Sequence, residues 1–167
     1  MKQNPQKSGT DHVFRGRSVW VLFLALALQA DVAWSHVHEK GDIQVRHPWS
    51  RATPPGAKVA VGYMEIRNRG SQPDRLLSVS TAVAKRVEMH VTQREGEVMK
   101  MRQVESFEIP ARERFALRPG GSHLMLVDIA QQLEKGVRFT MTLRFERAGE
   151  LEIELEVQER GSRHPRH

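Results

Sequence analysis

Residues 137–157 constrain the fold most tightly. Val137, Phe139, Met141, Leu143 and Phe145 alternate with Arg138, Thr140, Thr142, Arg144 and Glu146; Leu151, Ile153, Leu155 and Val157 then alternate with Glu152, Glu154 and Glu156. Apolar residues at every second position describe strands with one face in a core and the other in water. A turn near Ala148-Gly149 joins the two into a hairpin whose outer face is charged. Shorter stretches of the same type, broken by Gly, Pro, Asn and Asp, fall at 43–45, 58–68, 75–80, 86–92, 98–104, 114–117 and 123–129. Downstream of the N-terminal segment there is no convincing long amphipathic helix. Many short strands at this spacing predict an all-β sandwich or barrel.

The chain has 167 residues, which suggests one domain with a core of useful size. Residues 1–35 read as a secretory signal. Lys2, Lys7, Arg15 and Arg17 form a basic start, Val19 to Leu28 is an unbroken apolar run, and the small residues Ala30, Ala33 and Ser35 follow. The apolar run is shorter than the roughly 20 residues a spanning helix needs. Cleavage after Ser35 places Ala33 and Ser35 at the two recognition positions; cleavage after Ala30 puts the bulkier Leu28 at the outer one. The expected organisation is thus a signal peptide (1–35), a β-domain (36–159) and a disordered basic tail (160–167, RGSRHPRH).

Removing the four Lys/Arg and two Asp/Glu of residues 1–35 reduces the formal charge from +6 to +4. That is mild, and no basic stripe with interleaved aromatics supports nucleic-acid binding. The chain has no cysteine. This excludes disulfides, thiol catalysis, thiolate metal sites and blue-copper centres. A soft-metal site in this chain has to use methionine sulfur and histidine nitrogen.

Two segments offer that chemistry. A two-residue hairpin loop centred on Glu95-Gly96 would set Arg94 opposite Glu97, Thr92 opposite Met99 and His90 opposite Met101, and directly opposed residues share a face. In His123-Leu124-Met125, residues two apart in a strand also share a face. The turn Pro119-Gly120-Gly121 places His123 at the strand's start, near the rim, with Val127 and Ile129 continuing the same face as core. If the segments are neighbours, four ligands converge. Neutral, polarisable thioethers with imidazole suit Cu(I), whereas zinc sites use Cys, His and carboxylate. Met64, Met89 and Met141 read instead as core filler.

The spacing His90-x10-Met101-x21-His123-x-Met125 resembles the signature of the periplasmic copper chaperones called PCu(A)C. Residues 47–68 (HPWSRATPPGAKVAVGYMEIRN), 87–90 (VEMH), 96–104 (GEVMKMRQV) and 117–129 (LRPGGSHLMLVDI) are similar as well, and the resemblance covers about residues 42–158. It implies a cupredoxin-like Greek-key β-barrel or sandwich and a periplasmic location. It also implies one Cu(I) held by His90, Met101, His123 and Met125. Delivery would be to the CuA centre in subunit II of cytochrome c oxidase, a task Sco-type proteins can share. Many members carry a Met just after the first His; here Val91 stands there, and Met99 is a possible substitute.

No bond chemistry is needed for such a task, so the expected protein is not an enzyme. A chain beginning at His36-Val37-His38 could also bind Cu(II) through its amine, two amides and His38, assisted by His164 and His167. The rival readings are a copper buffer or resistance protein, an oxygenase with a copper brace at His36, and a β-module that binds no metal.

Overall fold

The computed structural model describes residues 37–159. The expected signal segment, His36 and the basic tail lie outside them. Eleven strands make up the architecture: β1 (Val37–Lys40), β2 (Ile43–Arg51), β3 (Val59–Asn68), β4 (Asp74–Thr81), β5 (Ala84–Glu95), β6 (Val98–Val104), β7 (Phe107–Ile109), β8 (Arg114–Leu117), β9 (His123–Ile129), β10 (Arg138–Phe145) and β11 (Glu150–Gln158). No helix among the described residues is long and apolar enough to cross a membrane. The all-β expectation is met, and two strands, β1 and β7, join those expected.

The strands form one sheet in the order β6-β5-β9-β3-β2-β11-β10-β4-β7, with β1 beside β2 and β8 beside β3. All pairings are antiparallel except β11 with β2. The path is open, ending at β6 and β7, but it curls round a single core. The side-chain amide of Asn68, at the end of β3, donates to the Ile109 carbonyl of β7 at 3.2 Å, and Phe107 meets Phe115 of β8 with ring centroids 5.0 Å apart.

The β10–β11 hairpin follows its sequence pattern. Phe139, Met141, Leu143 and Phe145 pack with Leu151, Ile153, Leu155 and Val157 in the core, and the alternating Thr, Arg and Glu face water. Gly149 turns the chain at φ +79°. Met64, Met89 and Met141 are all core residues. Asp74 ties the neighbouring loop: its buried carboxylate accepts from the backbone N–H of Arg75, Arg147 and Ala148 at 2.7, 2.9 and 3.0 Å.

Two local irregularities position the outer face of the sheet. In β2, His47 has φ +49°, and the pairing with β3 jumps from Arg46↔Glu65 to Trp49↔Tyr63. This bulge reverses the alternation, so Trp49 stands outside, against Tyr63 at a centroid distance of 4.6 Å. In β9, Asp128 has φ +55°. Leu124 and Leu126 point into the core, Asp128 interrupts the alternation, and Ile129 returns to the core. Val127 and Ile129 are both buried, as expected, but the expectation that they continue the His123 and Met125 face together is corrected. Val127 does share that face, but the face is the outer one, and Ile129 lies across the sheet from it.

Candidate metal centre

The β5–β6 hairpin carries two of the expected ligands. Its loop is Gly96-Glu97, with Glu95 opposite Val98. The cause is local: a two-residue hairpin turn needs φ > 0 at its first central position, and Gly96, at φ +64°, takes it. The expected loop at Glu95-Gly96 would have forced that conformation on Glu95. The register consequently differs by one pair from the expected one. His90 opposes Gln103, and Met101 opposes Thr92. Because the slip moves each partner by two residues, His90 and Met101 still share a face, as does Met99, which opposes Arg94.

Strand β9 lies on the other side of β5, and its register sets His90 directly opposite His123, and Glu88 opposite Met125. His90, Met101, His123 and Met125 thus occupy one face of three adjacent strands. The two imidazoles have centroids 5.6 Å apart, a gap that one ion bonded at about 2 Å to a nitrogen of each ring can span. Both histidines are buried, at 8% and 6% exposure, while Met125 is half-buried and Met101 is 56% exposed. The centre is therefore a sheltered pair of nitrogens, with one sulfur beside it and another on the rim.

Hydrogen bonding assigns the ring nitrogens. His123 Nδ1 lies 3.0 Å from the Gly121 carbonyl. A carbonyl can only accept, so Nδ1 carries the proton and Nε2 presents a lone pair. His90 Nε2 lies 3.0 Å from Glu88 Oε2. The hydrogen bonds from His90 and Arg86 hold the Glu88 carboxyl below the usual carboxylate range. It is therefore an acceptor, and His90 keeps its proton on Nε2. His90 Nδ1 is buried with no hydrogen-bond partner. A buried polar atom without a partner is costly, and a metal ion would satisfy it. In each ring one nitrogen is thus held by the protein and the other is left for a ligand, the arrangement typical of metal-binding histidines.

The donor set favours a soft ion. Glu88 is committed to His90 and Arg86, and among the described residues no three His, Cys, Asp or Glu side chains gather as a metal site. The partners available to the histidines on this face are thioethers, which suit Cu(I). Sequence reasoning missed Glu88 and the Gly121 carbonyl. Glu88 was detectable, since it precedes His90 by two residues on a strand; the carbonyl depends on how the Pro119-Gly120-Gly121 turn folds back. Of the proposed N-terminal site, His36 lies outside the described residues, and His38 sits in β1, its Nε2 accepting from the Glu154 N–H at 3.4 Å.

Residues 43–157 match the family described as "Putative lipoprotein LpqE-like". A Leifsonia xyli subsp. xyli protein named "Putative lipoprotein Lxx21020" is 33% identical over 104 residues, which cover 62% of this chain and 61% of that protein, less than two thirds of its length. The copper-bound PCuAC domain from PmoF2 is 34% identical, with a TM-score of 0.67 over 75% of this chain and 99% of that domain. The Cu(I) form of DR1885 from Deinococcus radiodurans is 25% identical, with a TM-score of 0.58 over 77% of this chain and 85% of that one. The cupredoxin-like expectation agrees with these likenesses. By sequence and by fold, the chain belongs to the LpqE-like family and shares the PCuAC domain architecture.

Proposed function

We propose that this protein carries one Cu(I) as cargo between His90, Met101, His123 and Met125, and surrenders it by ligand exchange to another protein outside the cytoplasm. The observation that carries the reading is the His90–His123 pair, each ring with one nitrogen tied to the protein and the other left open. Copper in the PmoF2 domain and Cu(I) in DR1885 support the choice of ion. Neutral imidazole and thioether ligands release Cu(I) more readily than thiolates would, so a cysteine-bearing acceptor can draw it off. The CuA centre in subunit II of cytochrome c oxidase, alone or with a Sco-type protein, is the acceptor this reading names. The lipoprotein names of the relatives support export. The protein is a carrier in this reading, not an enzyme.

The test is an anaerobic Cu(I) titration against a chromogenic competitor, beside a Met101→Ala/His123→Ala variant. One tight equivalent, lost in the variant, is expected; no competition by the intact protein would overturn the reading. Deleting the gene separates a carrier from a buffer. A carrier predicts loss of oxidase activity at low copper, and a buffer predicts copper sensitivity.

A further inference from the structure

We infer that Met99 is an exchange ligand: an outer thioether that takes Cu(I) at the hairpin tip and passes it to Met101, and the reverse on release. The inference rests on the carrier reading above and adds a route to it. Met99 and Met101 are two residues apart on β6, so they share a face and sit about 6–7 Å apart along the strand. They oppose Arg94 and Thr92, and the next pair inward is Gln103 with His90. The order from the tip is therefore Met99, Met101, then the paired imidazoles. Exposure falls along the same line, from 55% and 56% at the two methionines to 8% at His90.

Packing does not account for Met99. It lies at the tip of a two-stranded hairpin, on the terminal strand of the sheet, and contributes nothing to the core. Its neighbours on β6, Val98 and Lys100, point to the opposite face, away from the histidines. The histidines are almost covered, and the open nitrogen of His90 is fully buried, whereas the two sulfur-bearing side chains stand more than half exposed to an incoming donor or acceptor. The exchange is balanced without a co-reactant. A lone pair on Met99 Sδ forms a bond to Cu(I) as one bond to the departing ligand breaks, and the metal stays Cu(I). A thioether has no proton to lose, so none moves.

The experiment compares Met99→Leu, Met101→Leu and Val98→Ala with the parent protein, all loaded with Cu(I) anaerobically. Affinity is read by competition with bathocuproine disulfonate, and the rate of Cu(I) removal by stopped flow over a range of chelator concentrations. Met99→Leu should keep the affinity within about twofold of the parent and slow removal about fivefold or more, whereas Met101→Leu should weaken affinity about tenfold. Val98→Ala, on the opposite face, should change neither. An unchanged rate in Met99→Leu overturns the inference, as does an affinity loss equal to that of Met101→Leu, which would make Met99 a resident ligand. Equal slowing in Val98→Ala also overturns it, by assigning the effect to the hairpin rather than to sulfur. If the parent binds no Cu(I), the carrier reading itself fails, a result distinct from all of these.

Discussion

Replacing Glu88 by Gln tests whether the His90 ring is set for metal by its neighbour. Arg86 Nε donates to Glu88 Oε1 at 2.8 Å, and Glu88 Oε2 accepts from His90 Nε2 at 3.0 Å. A glutamine in the same place has one oxygen, and Arg86, which can only donate, claims it. The amide NH₂ then faces His90 Nε2 and donates to it, which pushes the imidazole proton to Nδ1, the atom left open for the ion. Binding then has to reverse this, either by flipping the amide against Arg86 or by forgoing the bond. A hydrogen bond to a charged group contributes about 1.5–3 kcal/mol and a neutral one about 1 kcal/mol. The side chains of His90 and Glu88 are only 10% and 16% exposed, so water does little to replace the lost partner. A loss of roughly tenfold in Cu(I) affinity is expected, at the lower end of what loss of such a supporting partner costs. Glu88→Leu, with no acceptor, should lose more. The assay is anaerobic competition with a Cu(I) chelator, with thermal melts of the metal-free proteins alongside. A Glu88→Gln protein that melts like the parent and binds Cu(I) within twofold of it would refute this account of His90.

Three further outcomes concern stability. Leu126→Ala removes a fully buried side chain beside Leu124 in the core, and should cost about 2–5 kcal/mol by denaturant unfolding. Asp74→Ala strands three backbone N–H groups that the carboxylate now satisfies, and should cost about 3 kcal/mol or more in the same assay. The Glu146 carboxyl is held below the usual carboxylate range by its hydrogen bonds from Arg75, at 2.8 and 2.7 Å. With the folded value depressed, its contribution is fully present above the ordinary carboxylate value and is lost as pH falls through the folded one. The pair is exposed, so the effect is small. Glu146→Gln should lower the melting temperature slightly at neutral pH and leave it unchanged in strong acid.

Much of the fold was legible because one face of nearly every strand is buried, and a period of two records that directly. The strands that escaped notice are those where the record is short or one-sided. Strand β7 has three residues, and β1 has no fully buried position. The second half of β2 escaped because the bulge at His47 resets the alternation mid-strand. The shared face of His90 and Met101 survived an incorrect register because the error was a whole pair, and only an odd slip changes the face. The opposition of His90 to His123 could not be read locally. It depends on β5 lying beside β9 across 27 intervening residues of chain, a pairing that belongs to the folded sheet. The direction of β9 was misjudged because Val127 and Ile129 look equivalent in sequence, and a single left-handed residue between them sends them to opposite sides.

The strict alternation along β9 ahead of Asp128 leads to a separation of tasks. The leucines of β9 pack into the core on one side of the sheet, and its histidine and methionine, the proposed ligands, lie on the other. In small metal-organised domains, losing the ion means losing the structure, because folding and filling are one event. Here the core lies on the face turned away from the proposed ligands, so the scaffold is expected to stay folded without its passenger. Such a vessel can be emptied and refilled many times without being rebuilt, and its ligands can be exchanged by mutation, to alter which ion it takes or how firmly, while the interior that keeps it folded is left alone.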